Sequence, residues 1–198
     1  YNEALAYNYW SISGYTSSPD DIQRRFLGRL GYRINGDNMC IVNTSIISAD
    51  SLLGVRYILS KESLNGYNAM EMDMQNEKKV YKNPYALPMA FTYPTSKFVV
   101  DAKMNPFEYQ NQLYSQLIGK EVHIYKPLKY SYKFDDNDQP IYTVFIPEGK
   151  YAVYGNLPWN SEFKGTVQVE NGYSTNYACW LSPSVFYIPL EPKQRETQ

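Results

Sequence analysis

The sequence predicts an α+β protein in two parts: a mixed α/β part with two capped helices over residues 1–118, then an antiparallel, jelly-roll-like β-sandwich over 119–190, with a polar tail at 191–198. Three observations predict this. Helix start and stop chemistry occurs twice, at 18–31 and at 105–119. From residue 119 onward the apolar runs are short and separated by turn residues, the pattern of stacked antiparallel strands. The chain also carries 21 Tyr in 198 residues, and a Tyr ring suits a half-buried pleat with its hydroxyl near water.

The elements follow in order. Ser18 can cap the first helix, Pro19 suits its first position, and Asp20 and Asp21 favour an N-terminus. The helix is expected over 19–30, with Ile22, Phe26, Leu27 and Leu30 on one apolar face and Gly31 as its stop. Asn35-Gly36 marks a turn, 39–43 a short buried strand, and 50–53 one helical turn ended by Gly54. Strands are expected at 55–59 and, by alternation, at 67–74, with 79–82 returning as a hairpin partner. Pro84, Pro88 and Pro94 then hold 83–95 in extended or edge structure.

The second helix is the best marked. Asn105 is a good cap, Pro106 follows, and Glu108 falls at the reciprocal capping position. Phe107, Tyr114, Leu117 and Ile118 form its apolar face and Gly119 its stop. Beyond it, strands are expected at 121–125, 129–134, 142–146, 151–155, 165–169, 173–180 and 185–188.

Composition narrows the functional classes. At 43% hydrophobic and 20% charged, the chain can build a core without staples. Its net charge of −1 offers no footprint for nucleic acid. Cys40 and Cys179 lie far apart without metal-ligand spacing, and two buried thiols fit better than a disulfide. No apolar run reaches the roughly 18 residues of a spanning helix. The chain opens at Tyr1 without a charged, apolar-cored leader, and reads as a segment trimmed from a longer protein.

Catalytic constellations are missing from the pattern. There is no phosphate-binding Gly loop and no serine-hydrolase elbow. The single histidine, His123, sits in an expected strand with no flagged Ser or Cys partner, and a structural role is expected for it. Asp135, Asp136 and Asp138 lack the Gly and distal Glu of a calcium loop and read as a solvated hairpin turn. Asp20 and Asp21 read as capping residues. No catalytic residue, metal ligand or cofactor site is expected.

Two segments stand out for another reason. Ser51-Leu52-Leu53-Gly54-Val55-Arg56-Tyr57-Ile58-Leu59 and Val80-Tyr81-Lys82-Asn83-Pro84-Tyr85-Ala86-Leu87-Pro88 occur in an order and separation that resemble the YfhO family of bacterial polytopic membrane proteins. That family shows a D-x-L-L-G-V-K-Y strand followed by V-Y-x-N-x-x-A-L-P. The segment from Phe26 to Gly31 resembles its F...L-G piece, and Asn105-Pro106-Phe107-Glu108 with Gln110-Asn111 its N-P-F-E-x-Q-N helix start. The resemblance covers about residues 8–119, and Arg56 stands where the family usually has Lys.

The resemblance implies a multi-pass enzyme of GT-C glycosyltransferase type with a large domain outside the cell. Such proteins are implicated in adding sugars from a lipid-linked donor to cell-envelope polymers such as lipoteichoic acid. Their catalytic acid lies in a membrane-proximal loop, so no catalytic residue is carried onto this chain. The chain is then expected to be a soluble extracytoplasmic accessory domain whose partners are the membrane domain of the same parent chain and a cell-envelope glycopolymer. The alternative is a stand-alone carbohydrate-binding or structural module. In the binding case Trp159, Tyr151, Tyr154, Tyr173 and Trp180 are the candidate stacking residues, with Trp159 favoured by its place beside Pro158 and Asn160.

Overall fold

The computed structural model describes residues 6–14, 20–34, 41–42, 44–70, 78–94, 103–148, 151–157, 164–170, 173–178 and 184–190. They form a mixed α/β fold of few helices and several small antiparallel sheets.

Helix α1 (Asp21–Arg29) is capped by Asp20, whose side chain accepts from the Gln23 amide at 2.8 Å. Ser18 and Pro19, the expected cap and first residue, lie outside the described residues. Asp21 pairs with Arg24 and Arg25, each at 2.5 Å, so both acids serve the helix start. Leu27 and Leu30 are buried as expected, whereas Ile22 is 81% exposed. A helix of this length buries a narrow stripe, and Ile22 falls outside it. The chain then turns at Gly31 (φ +97°) into β1 (Arg33–Ile34), which pairs with β2 (Ile41–Val42).

Helix α2 (Ile47–Leu52) ends at Gly54 (φ +69°), the expected stop. It leads to β3 (Tyr57–Ser60) and β4 (Asn68–Ala69). Both pair with β5 (Lys79–Lys82), which is the centre of a three-stranded sheet. The 79–82 strand therefore returns on two partners, and the rest of the expected 67–74 strand falls mostly outside the described residues.

Helix α3 (Pro106–Ile118) has the expected ends. The Asn105 side chain accepts from the amides of Phe107 (2.9 Å) and Glu108 (3.0 Å), the Glu108 carboxylate accepts from the Asn105 amide, and Gly119 closes the helix at φ +76°. Replacing Asn105 with Ala removes both acceptor contacts and should cost about 1 kcal/mol, read as a lower urea midpoint. An unchanged midpoint would mean that packing alone holds this helix end. The buried face is rotated from the expected one: Tyr109, Gln110 and Leu113 face the core, Phe107 and Leu117 pack at its margin, and Ile118 is 48% exposed.

The expected strand at 121–125 is irregular. Side chains of α3 take its backbone groups instead: Asn111 exchanges two hydrogen bonds with Tyr125, and Ser115 Oγ pairs with both the amide and carbonyl of Val122. The remaining strands form three two-stranded ladders. These are β6 (Lys129–Phe134) with β7 (Pro140–Phe145), β8 (Val153–Gly155) with β11 (Phe186–Ile188), and β9 (Lys164–Gln168) with β10 (Ser174–Ala178). Among the described residues these ladders are separate sheets, and they do not close into a sandwich or jelly roll.

The main core gathers Leu27, Leu30, Tyr32, Ile46, Ala49, Tyr109, Leu113 and Val185. A second cluster joins Leu64, Tyr67, Tyr81 and Tyr187. Tyr154 packs against both. The amide of Val185 donates to the carbonyl of Gly31 at 2.8 Å, tying the last strand region to the end of α1.

Candidate functional site

The most unusual element is α2. A buried helix normally turns an apolar stripe inward, yet Ser48, Asp50 and Ser51 are all buried here beside Ala49. Buried polar groups must find partners, and each of these does.

Asp50 is 3% exposed. One carboxylate oxygen accepts from Tyr32 Oη at 2.5 Å. The other accepts from Tyr67 Oη (2.6 Å), Ser45 Oγ (3.0 Å) and the Ile46 amide (3.0 Å). The last contact satisfies an orphan donor at the start of α2. The next orphan, the Ile47 amide, donates to Tyr154 Oη at 3.1 Å. Burial raises the Asp50 carboxyl above its ordinary range, although its four donors pull the other way. Burial and the neighbouring Asp50 likewise push the Tyr32 and Tyr67 hydroxyls upward, so both remain protonated donors.

Ser48 Oγ donates to Gln110 Oε1 and meets Tyr125 Oη at 2.5 Å. Gln110, fully buried, donates in turn to the Leu30 carbonyl at 2.9 Å. Tyr114 Oη donates to the Ser48 carbonyl, and burial pushes its hydroxyl up to about 12. Ser51 Oγ donates to the Ile47 carbonyl and pairs with Asn83, whose amide group also donates to the Val55 carbonyl at 3.0 Å.

The two segments that drew attention in the sequence are therefore locked to each other. Asn83 donates to the backbone carbonyls of Val55 and Arg56 and to the Ser51 hydroxyl, and the Leu87 amide donates to the Ser51 carbonyl at 2.9 Å. Gly54 lies under Leu87, where a Cβ would meet the Leu87 carbonyl at 3.0 Å. The other two segments join them: Gln110 connects α3 to Leu30 at the end of α1 and to Ser48. All four converge on α2.

A cavity of about 290 Å³ opens beside α2, lined by Ile47, Ser48, Ser51, Tyr85, Leu87, Tyr114 and Ile124. Its two serines face amides, phenols and carbonyls, and among the described residues no base is bonded to either. His123 lies exposed in the irregular stretch after α3, 3.2 Å from Glu121, instead of in a strand. Among the described residues no three His, Cys, Asp or Glu side chains group as metal ligands. Asp135 accepts from the amides of Asn137 and Gln139, forming the expected hairpin turn. Among the described residues the arrangement holds chain segments together, and its hydroxyls bond to amides, phenols, carbonyls and one buried carboxylate.

Of the expected sugar-stacking residues, Trp159 and Trp180 lie outside the described residues, as do Cys40 and Cys179. Tyr151 is exposed, with its hydroxyl donating to the Glu148 carbonyl at 3.2 Å. Tyr173 is half-buried. Tyr154 instead turns into the core, its ring centroid 5.6 Å from that of Tyr187 and 5.9 Å from that of Tyr125. Sequence reading missed Tyr32, Tyr67 and Gln110, whose partners are remote in the chain.

Such a site defines a domain organised around a buried polar helix, with four interlocked segments as its signature. The model of the family described as bacterial membrane protein YfhO matches residues 1–161, and the chain belongs to that family. Neither a curated protein nor a solved structure matches it. Among the described residues no helix is long and apolar enough to cross a membrane.

Proposed function

We propose that this chain is the extracytoplasmic accessory domain of a multi-pass membrane glycosyltransferase of GT-C type, acting on cell-envelope polymers such as lipoteichoic acid. Membership of a membrane-protein family carries this reading. It is supported by the character of the site, whose polar groups are spent on one another. On this reading the chemistry belongs to the membrane domain of the parent chain, and residues 1–198 brace that domain or position its acceptor. Exposed Tyr151, with Trp159 and Trp180, would supply any sugar contacts.

The test is to excise residues 1–198 from the parent protein with its membrane spans intact, and to measure the sugar content of the envelope polymer. Loss of the polymer's sugars, with the spans still inserted at normal abundance, is the expected result. Unchanged glycosylation would remove the accessory role.

A further inference from the structure

The β6–β7 ribbon is built differently from the other ladders: all twelve of its positions are exposed. Its register pairs Tyr130 with Val144, Tyr132 with Tyr142 and Phe134 with Pro140. Side chains alternate along a strand, so these six share one face, while Lys129, Ser131, Lys133, Ile141, Thr143 and Phe145 lie on the other. The aromatic face is continuous, with ring centroids of Tyr130–Tyr142, Tyr132–Tyr142 and Tyr132–Phe134 at 6.0, 6.0 and 6.1 Å. Yet Tyr130, Tyr132, Phe134 and Tyr142 remain 62%, 63%, 58% and 52% exposed.

We infer that this face is a self-association surface, and that its occupant is the same face of a second copy of this chain, packed about a two-fold axis near the Tyr132–Tyr142 pair. Two observations select that occupant. First, area: four aromatics this exposed, with Val144 and Pro140, offer roughly 600 Å² per copy, or about 1,200 Å² for a pair, the lower edge of a stable interface. Second, shape: the face carries rings or apolar side chains at all six positions and can match itself. Other occupants fit less well. The rings are tilted by 35° to 88° to one another, unlike a flat platform for a sugar, and the acidic tip repels an anionic bilayer. The inference rests on the ribbon alone and stands apart from the proposed glycosyltransferase role.

Sedimentation velocity of the 198-residue chain, from micromolar to millimolar concentration, tests it. A monomer–dimer equilibrium is expected. Tyr132→Lys, and independently Tyr142→Lys, should weaken it by about a hundredfold or more, because each copy then buries an uncompensated charge. Both positions are exposed, so circular dichroism should stay native. A chain that stays monomeric, or a dimer indifferent to Tyr132→Lys, overturns the inference. So does binding to anionic phosphatidylglycerol vesicles that is lost in Tyr132→Lys, since the face would then belong to a lipid surface.

Discussion

Replacing Asp50 with Ala should destabilise the protein by about 3 kcal/mol, and Asn should be tolerated far better. The alanine variant loses the acceptor for Tyr32 Oη, Tyr67 Oη and the Ile46 amide at once. Ser45 loses least, because its hydroxyl also reaches Tyr67 Oη at 2.7 Å. A buried donor without an acceptor costs about 1–3 kcal/mol, and relief of the carboxyl's own desolvation offsets part of that sum. In Asp50→Asn the amide oxygen can take the place that accepts three donors, and Tyr32 can rotate its hydroxyl to accept from the amide nitrogen.

The pH dependence gives the sign. The folded Asp50 carboxyl titrates above its ordinary value of 3.8 because burial dominates. A raised folded value means that the folded state holds the proton more tightly than the unfolded chain. The stabilisation from Asp50 is then fully present below 3.8 and is lost as pH rises through the folded value. The stability advantage of the native protein over Asp50→Asn should therefore shrink as pH rises from acid to neutral. Urea unfolding of both proteins across that range measures it. An advantage that grows with pH would show that the four donors outweigh burial.

What was legible in the sequence was local. The ends of α3 follow from Asn105, Pro106, Glu108 and Gly119, whose partners lie within a few residues. The stop at Gly54 and the turn at Asp135 are of the same kind. The α3 face was misjudged because Gln110 looks like a surface residue until the Leu30 carbonyl, 80 positions away, reaches it. Asp50 reads as one more acid in a short helix, because its donors Tyr32 and Tyr67 stand 18 and 17 positions away. Each of these residues is polar in isolation and internal only in company. The strand at 121–125 failed for a related reason: the side chains of Asn111 and Ser115 supplied the partners that a neighbouring strand would have given. The family segments were visible as letters, but their common purpose, enclosing α2, required the fold.

Among the described glycines, Gly31→Ala should be the most damaging methyl addition, at about 3 kcal/mol or more. Two costs combine. Gly31 sits at φ +97°, where an L side chain is strained by roughly 1–2 kcal/mol. Its added Cβ would also overlap Val185 Cγ2 and lie 3.2 Å from Pro106 Cβ. Val185 is 2% exposed and its amide is bonded to the Gly31 carbonyl, so neither side can retreat without giving up that bond. A second substitution separates the costs. Val185→Ala alone should destabilise by opening a cavity. In the double variant the new methyl occupies part of that space, so the combined loss should fall short of the sum of the singles by about 1–2 kcal/mol. The strain at φ +97° stays in both backgrounds. Additive losses in the cycle would show that backbone strain accounts for the whole effect and that Val185 moves aside freely. The contrast with Gly54 is a check on scale. There the contact is a single carbonyl at 3.0 Å, and Gly54→Ala should cost less than Gly31→Ala.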